Sequence, residues 1–282
     1  WPNGERRPPI TDEVTSKLST PIESVLKRDR AVVIAGILLV AALAWGYTVY
    51  LGSQMNGTGM GPAMGTGMAM PNVGSWNAVD WSSMFLMWAV MMAAMMVPTA
   101  APMILVFATV NRKRQEQHRP FVPTSVFLSG YIVVWCGFAA AATAVNWALH
   151  ANGQLDMMMG ETSSAYVGGA ILLAAGIFQW SRLKYACLSH CRSPMSFLIT
   201  DWQEGPSGAL RMGLHHGTYC VGCCWVLMAL LFVLGVMNLL WIAALAGFVL
   251  LEKVIPRGQT ISRASGIGLA AWGALMLSGV IG

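Results

Sequence analysis

Long apolar runs almost free of charge limit this chain more than any other feature of its sequence. Seven can be read, at residues 31–51, 81–110, 124–149, 166–180, 213–234, 238–251 and 264–281. Runs of about 20 apolar residues match the hydrocarbon thickness of a bilayer. A backbone inside lipid must satisfy its own hydrogen bonds, so the runs are expected to be helices. Charged residues make up 10% of the 282, and the AVILMFWYC group 56%. A soluble domain would carry about 25% charged residues. Alternating strand patterns of the membrane-barrel kind are absent from the sequence. The expected fold is therefore all-α, a polytopic transmembrane helical bundle with about seven spans. The fourth and sixth runs are short, and either extend into flanking sequence or thin the bilayer locally.

The basic residues set an orientation. Of 17 Lys and Arg, six precede the first run, from Arg6 to Arg30. Four more follow the second run, at Arg112, Lys113, Arg114 and Arg119. Another four lie between the fourth and fifth, at Arg182, Lys184, Arg192 and Arg211, and three between the sixth and seventh, at Lys253, Arg257 and Arg263. With seven spans every basic segment falls on one face, which the positive-inside rule makes cytoplasmic. The N-terminus is then cytoplasmic and the C-terminus outside. The expected organisation is a cytoplasmic N-terminal segment, 1–30, and a transmembrane helical domain, 31–282, with a Met-rich outer loop at 52–75. Within 1–30, Thr20, Pro21 and Glu23 form a helix-start signal. The net charge of +5 follows from this arrangement and calls for no nucleic acid.

The candidate chemistry begins with cysteine. Cys187 and Cys191 are four residues apart, with His190 between them, and Cys220, Cys223 and Cys224 form C-x2-C-C behind His215 and His216. On a helix His216, Cys220, Cys223 and Cys224 share one stripe. A short connection, 193–212, lets the two cysteine segments meet. The cytosol keeps thiols reduced, so grouped cysteines there read as metal or redox chemistry rather than disulfides. Thiolates are soft ligands, which ranks copper first and zinc second. Packing explains Cys136, isolated in the third run, better than it explains five grouped cysteines.

Methionine is the second signal. The loop 52–75 carries Met55, Met60, Met64, Met68 and Met70 without a charged residue, a composition suited to capturing Cu(I) through thioethers. Within the second run, Met84, Met87, Met91 and Met95 follow helical spacing. Met91 and Met95 are candidate copper ligands, although adaptable core packing is the favoured reading of this stripe. Pro98 and Pro102 should kink the same helix and free carbonyls near Ala94 and Pro98, to be met by Thr99 or a neighbouring helix. Glu252 and Lys253 close the sixth run and read as an ion pair at the membrane interface. His118 reads as a solvated loop side chain. Asp156 and Glu161, with His150, mark a second outer loop able to hold a metal. No phosphate loop, H-E-x-x-H or nucleophile elbow is present.

Several of these residues fall into recognisable blocks. Trp88, Met92, Ala94, Met95, Met96, Pro98 and Pro102 fit a W…M-x-A-M-M-x-P-x3-P pattern. Lys184, Cys187, Leu188, Cys191, Arg192 and Pro194 fit K-x2-C-L-x2-C-R-x-P. Gly217, Cys220, Gly222, Cys223, Cys224 and Trp225, followed by Leu227 and Met228, fit G-x2-C-x-G-C-C-W…L-M, and Glu252–Lys253 supply a closing E-K. In these blocks the chain resembles a bacterial family of predicted metal-binding integral membrane proteins, over about residues 81 to 256. The resemblance implies metal binding and a location in the bacterial cytoplasmic (inner) membrane, and gives neither a reaction nor a metal. Three functions stay open: copper capture, transfer or delivery; a subunit of a membrane-bound metal-dependent oxidoreductase; and a structural or assembly subunit of a membrane complex. Whether the chain is an enzyme is undecided by the sequence. The partners to expect are the lipid bilayer and a metal-dependent membrane enzyme or a metallochaperone.

Overall fold

The computed structural model describes residues 31–51, 76–117, 122–154, 162 and 164–280. The N-terminal segment, the Met-rich loop 52–75, His118, Asp156 and Glu161 lie outside the described residues.

The described chain is all-α. Helix α1 is Ala31–Leu51. It is followed by α2 (Ala78–Glu116), α3 (Thr124–Ala151), α4 (Ala165–Phe178), α5 (Arg182–Arg192) and α6 (Pro194–Asp201). The remaining helices are α7 (Gly205–Ala229), α8 (Leu231–Leu234), α9 (Leu239–Val254) and α10 (Gly258–Leu277). Among the described residues, four helical stretches are long and apolar enough to cross a membrane: α1, α2, α3 and the α7–α8 stretch Gly205–Leu234. At 14 and 16 residues, α4 and α9 fall short of the usual length. Helix α10 begins six residues before the expected 264, and α7 eight before the expected 213. Gly205 and Pro206 open α7, and proline fits there because first-turn N–H groups have no intrahelical acceptor.

Local chemistry explains several boundaries. Helix α2 runs for 39 residues and starts at a capping box, in which the Asn77 side chain accepts from Asp80 N while Asp80 accepts from Asn77 N. Ser181 caps α5 by accepting from Lys184 N. Pro194 has no N–H to continue α5, so α6 starts there as a separate helix. Asn238 caps α9 through bonds from Leu240 N and Trp241 N.

Pro98 and Pro102 lie inside α2, as the sequence requires. Proline 98 leaves the Ala94 carbonyl without its helical donor. A neighbouring helix supplies one: Trp45 Nε1 of α1 donates to Ala94 O at 3.1 Å. Thr99 instead donates to Met96 O at 2.9 Å.

The core lies where α2, α3 and α7 meet, with Trp88, Phe107, Phe127, Tyr131 and Trp135 fully buried. Methionines 91, 92, 95, 96 and 103 of α2 are buried among them. This fits packing for the α2 stripe. Glycines bring α4 and α10 together: a Cβ on Gly176 would stand 2.6 Å from Ala270 N, and one on Gly273 2.6 Å from Leu173 N. Small residues of this kind allow two backbones to touch. Around the core, large apolar side chains face outward, including Leu38, Leu39 and Leu43 of α1.

Candidate functional site

The cysteines of α7 lie on its buried face. Cys220, Cys223 and Cys224 are buried, as is His216 one turn earlier. Helix α5 packs beside it, on the side of α7 that carries Tyr219 and Gly222. A Cβ on Gly222 would stand 2.7 Å from Cys187 Sγ, so the glycine is what lets α5 approach at this level. One turn further along α5, the Cys191 thiol reaches both Cys220 and Cys223. Cys191, Cys223 and Cys224 all lie within reach of the Cys220 side chain.

Cys220 is the hub. Tyr131 of α3 places its hydroxyl 3.1 Å from Cys220 Sγ, and Lys253 of α9 donates to the same sulfur at 3.0 Å. Both partners are themselves held. Tyr131 OH donates to Met96 O at 3.0 Å, and Lys253 Nζ donates to Thr99 Oγ1 at 2.9 Å. Side chains from α3, α5 and α9 thus converge on one α7 sulfur, and α2 holds Tyr131 and Lys253 in place. The Cys223 and Cys224 thiols turn back along their own helix, donating to Cys220 O at 3.1 and 2.9 Å. Thiol donors bond weakly, so rotating them toward a shared ligand costs little. Burial, with Cys223 nearby, pushes the Cys187 thiol up from its ordinary value.

The histidines divide. His216 is buried, its ring 5.8 Å from that of Tyr131, and its Nδ1 has no hydrogen-bond partner. A buried polar nitrogen without a partner costs free energy and suits a ligand. His190 is exposed, bonds back to Ala186 O at 2.8 Å and stacks on Tyr219 at 4.2 Å. His215 pairs with Asp201 at 3.3 Å. Cys136 is half-buried on α3. Met91 and Met95 sit in the α2 core. Met55, Met60, Met64, Met68 and Met70 lie outside the described residues. Among the described residues, no three His, Cys, Asp or Glu side chains stand arranged as a finished metal site. The soft donors that do meet are the thiols of Cys191, Cys220 and Cys223, with Cys224 beside them.

The expectation for Glu252 and Lys253 is corrected. They do not pair with each other at an interface. Both are buried, and residues adjacent on a helix point in different directions. Lys253 turns to Cys220. Glu252 turns to Lys184, whose Nζ lies 2.8 and 2.9 Å from the two carboxylate oxygens. Gln179 accepts from Lys184 as well, and Ser262 donates to Glu252 at 2.5 Å. This network ties the end of α4, α5, α9 and α10 together. It also removes Lys184 from the exposed loop charges, as burial against Cys220 and Thr99 removes Lys253. Tyr131, Thr99, Gln179 and Ser262 carry no local sequence signal for these roles. Lys184 carried one, as the first residue of its cysteine block.

No curated protein and no solved structure matches the chain. A family model described as a copper chaperone, PpoB2, matches residues 85–276. That stretch takes in all five grouped cysteines, Lys184, Glu252 and Lys253. The chain belongs to the PpoB2 copper chaperone family.

Proposed function

We propose that this chain is a multi-pass protein of the bacterial inner membrane that holds Cu(I) as cargo and hands it to a metal-dependent membrane enzyme or to another metallochaperone. Copper sits on Cys191, Cys220 and Cys223, with Cys224 and His216 in reserve. The observation that carries this reading is that half-buried Cys191 of α5 lies within interaction range of the buried Cys220 and Cys223 of α7. Thiolate sulfur selects Cu(I) among the common metals, and zinc is the second choice. Charge balance supports it too. Cu(I) bound by three thiolates carries two net negative charges, and the Lys253 ammonium, 3.0 Å from Cys220 Sγ, offsets one of them. The five loop methionines collect the ion on the outer side.

The topology that goes with this has seven crossings, made by α1, α2, α3, α4, α7 with α8, α9 and α10. The N-terminal segment, 1–30, is cytoplasmic, and 31–282 forms the membrane domain. Outward-facing leucines on α1 support a lipid surround. Helices α4 and α9 would span about 21 and 24 Å at about 1.5 Å per residue. They would therefore thin the bilayer around them. Cysteine probes at Gly57 or Gly160 should label from outside, and probes at Gln115 or Gly205 should not. Outside labelling at Gln115 reverses the orientation.

The function is tested by Cu(I) competition with a chromophoric chelator, under reducing conditions. Cys220→Ser, Cys223→Ser and Cys191→Ser should each lower the copper held, and Cys136→Ser should not. Full binding by a Cys220/Cys223/Cys224 triple serine variant would leave buried packing as the better account of these residues.

A further inference from the structure

A groove runs along the second half of α2. About 570 Å³ of open space is lined by Ala101, Pro102, Leu105, Thr109 and Lys113 of α2 and by Met195 of α6, among others. Ala101 and Pro102 have short side chains, which leaves room at one end. Pro194 starts α6 as a separate helix, and this brings Met195, 55% exposed, to the groove. The volume lies within the about 300 to 1,000 Å³ usual for ligand clefts. Its walls are almost wholly apolar. Thr109 donates its hydroxyl proton to Leu105 O at 2.8 Å, so that group is spent within the helix. Among the described residues of the lining, Lys113 alone is charged.

Lys113 stands between two paired cations. Arg112 pairs with Glu116 at 3.8 Å, and Arg114 pairs with Glu204 and lies over the Trp202 ring at 4.6 Å. Among the described residues, Lys113 is exposed and has no hydrogen bond or ion pair. From Ala101 to Lys113 the helix rises about 18 Å at about 1.5 Å per residue. One leaflet's share of the bilayer hydrocarbon is about 15 Å. The apolar run 81–110 ends just before Lys113, so the ammonium falls where lipid headgroups begin. An apolar slot of one leaflet's length, with a free cation at its headgroup end, has the shape and charge of an anionic phospholipid's complement.

We propose that this groove binds one anionic phospholipid, with an acyl chain along α2 and the phosphate on Lys113. This rests on the membrane placement proposed above and not on the copper reading. The test is native mass spectrometry of the full chain in mild detergent, titrated with phosphatidylglycerol or with phosphatidylcholine of the same acyl chains, whose choline cancels the phosphate charge. The unaltered chain should hold one phosphatidylglycerol in preference to phosphatidylcholine. Lys113→Gln should weaken that lipid about fivefold, the worth of one lysine at an anionic surface. Arg182→Gln, an exposed cation outside the groove, should not. Ala101→Phe fills the slot from a half-buried position and should weaken both lipids while helical circular dichroism stays unchanged. Equal losses in Lys113→Gln and Arg182→Gln overturn the inference, because lipid is then held by general charge attraction. So does undiminished binding by Ala101→Phe, which would give the groove to a second copy or to another segment of the chain. Recovery of the unaltered chain from cells without detergent overturns the membrane placement itself.

Discussion

The Lys184–Glu252 pair makes a quantitative prediction. Lys184 is fully buried and Glu252 almost so, with Nζ 2.8 and 2.9 Å from the carboxylate oxygens. Lys184→Met leaves Glu252 charged in a dry place with Ser262 as its remaining donor. Removing one partner of a buried pair costs about 3 to 5 kcal/mol, because the other charge is left uncompensated. Glu252→Leu should cost a similar amount by stranding the ammonium. Removing both together is different. An apolar pair of similar volume is often neutral, and what remains is the loss at Gln179 and Ser262, about 1 to 3 kcal/mol for groups left unsatisfied. The double variant should therefore be more stable than either single variant. The assay is a double-mutant cycle on denaturant unfolding in detergent, followed by helical circular dichroism. Single losses below about 1 kcal/mol, as an exposed pair gives, would refute the burial argument. So would a double variant that loses the sum of the two.

Three further outcomes follow from named contacts. Trp45→Phe removes the donor to Ala94 O, the carbonyl that Pro98 leaves without a helical partner, and should cost about 1 to 3 kcal/mol in the same unfolding assay. Gly176→Leu places side-chain atoms where Ala270 N already stands 2.6 Å from a Cβ, so it should pry α4 from α10 and lower stability. Gly137→Leu, with nothing within 4 Å of its Cβ, should be tolerated. Lys253→Met removes the ammonium beside Cys220 and should weaken Cu(I) binding by about 1.5 to 3 kcal/mol in chelator competition, the usual worth of a charged hydrogen bond.

Much of the fold could be read in advance because its signals are local. Apolar length marks α1, α2, α3 and α7, and the two prolines of α2 predict both a kink and an orphan carbonyl. Helical spacing alone puts Cys220, Cys223 and Cys224 on one face. The sequence also predicts that a short connection lets the two cysteine segments meet, and α5 does pack on α7, with Cys187 Sγ beside Gly222. Partners distant in sequence were not legible. Glu252 and Lys253 are adjacent, which invites a pairing, yet Glu252 binds Lys184, 68 residues away, and Lys253 binds Cys220, 33 away. The histidines fail similarly. His190 lies between two cysteines in sequence, but its ring stacks on Tyr219 instead. His215 lies beside His216 but points to Asp201. Other boundaries carry local signals of their own: the Asn77–Asp80 capping box of α2 and the Gly205–Pro206 start of α7.

The central claim is that Cu(I) is held by sulfur from α5 and α7. X-ray absorption at the copper edge, on protein loaded with one equivalent of Cu(I) under reductant, tests it most directly. The account predicts a first shell of sulfur alone in the unaltered chain and in Cys136→Ser. It predicts loss of sulfur from that shell in Cys191→Ser and in Cys220→Ser. A shell of nitrogen and oxygen in the unaltered chain, or a shell unchanged by both substitutions, would contradict it.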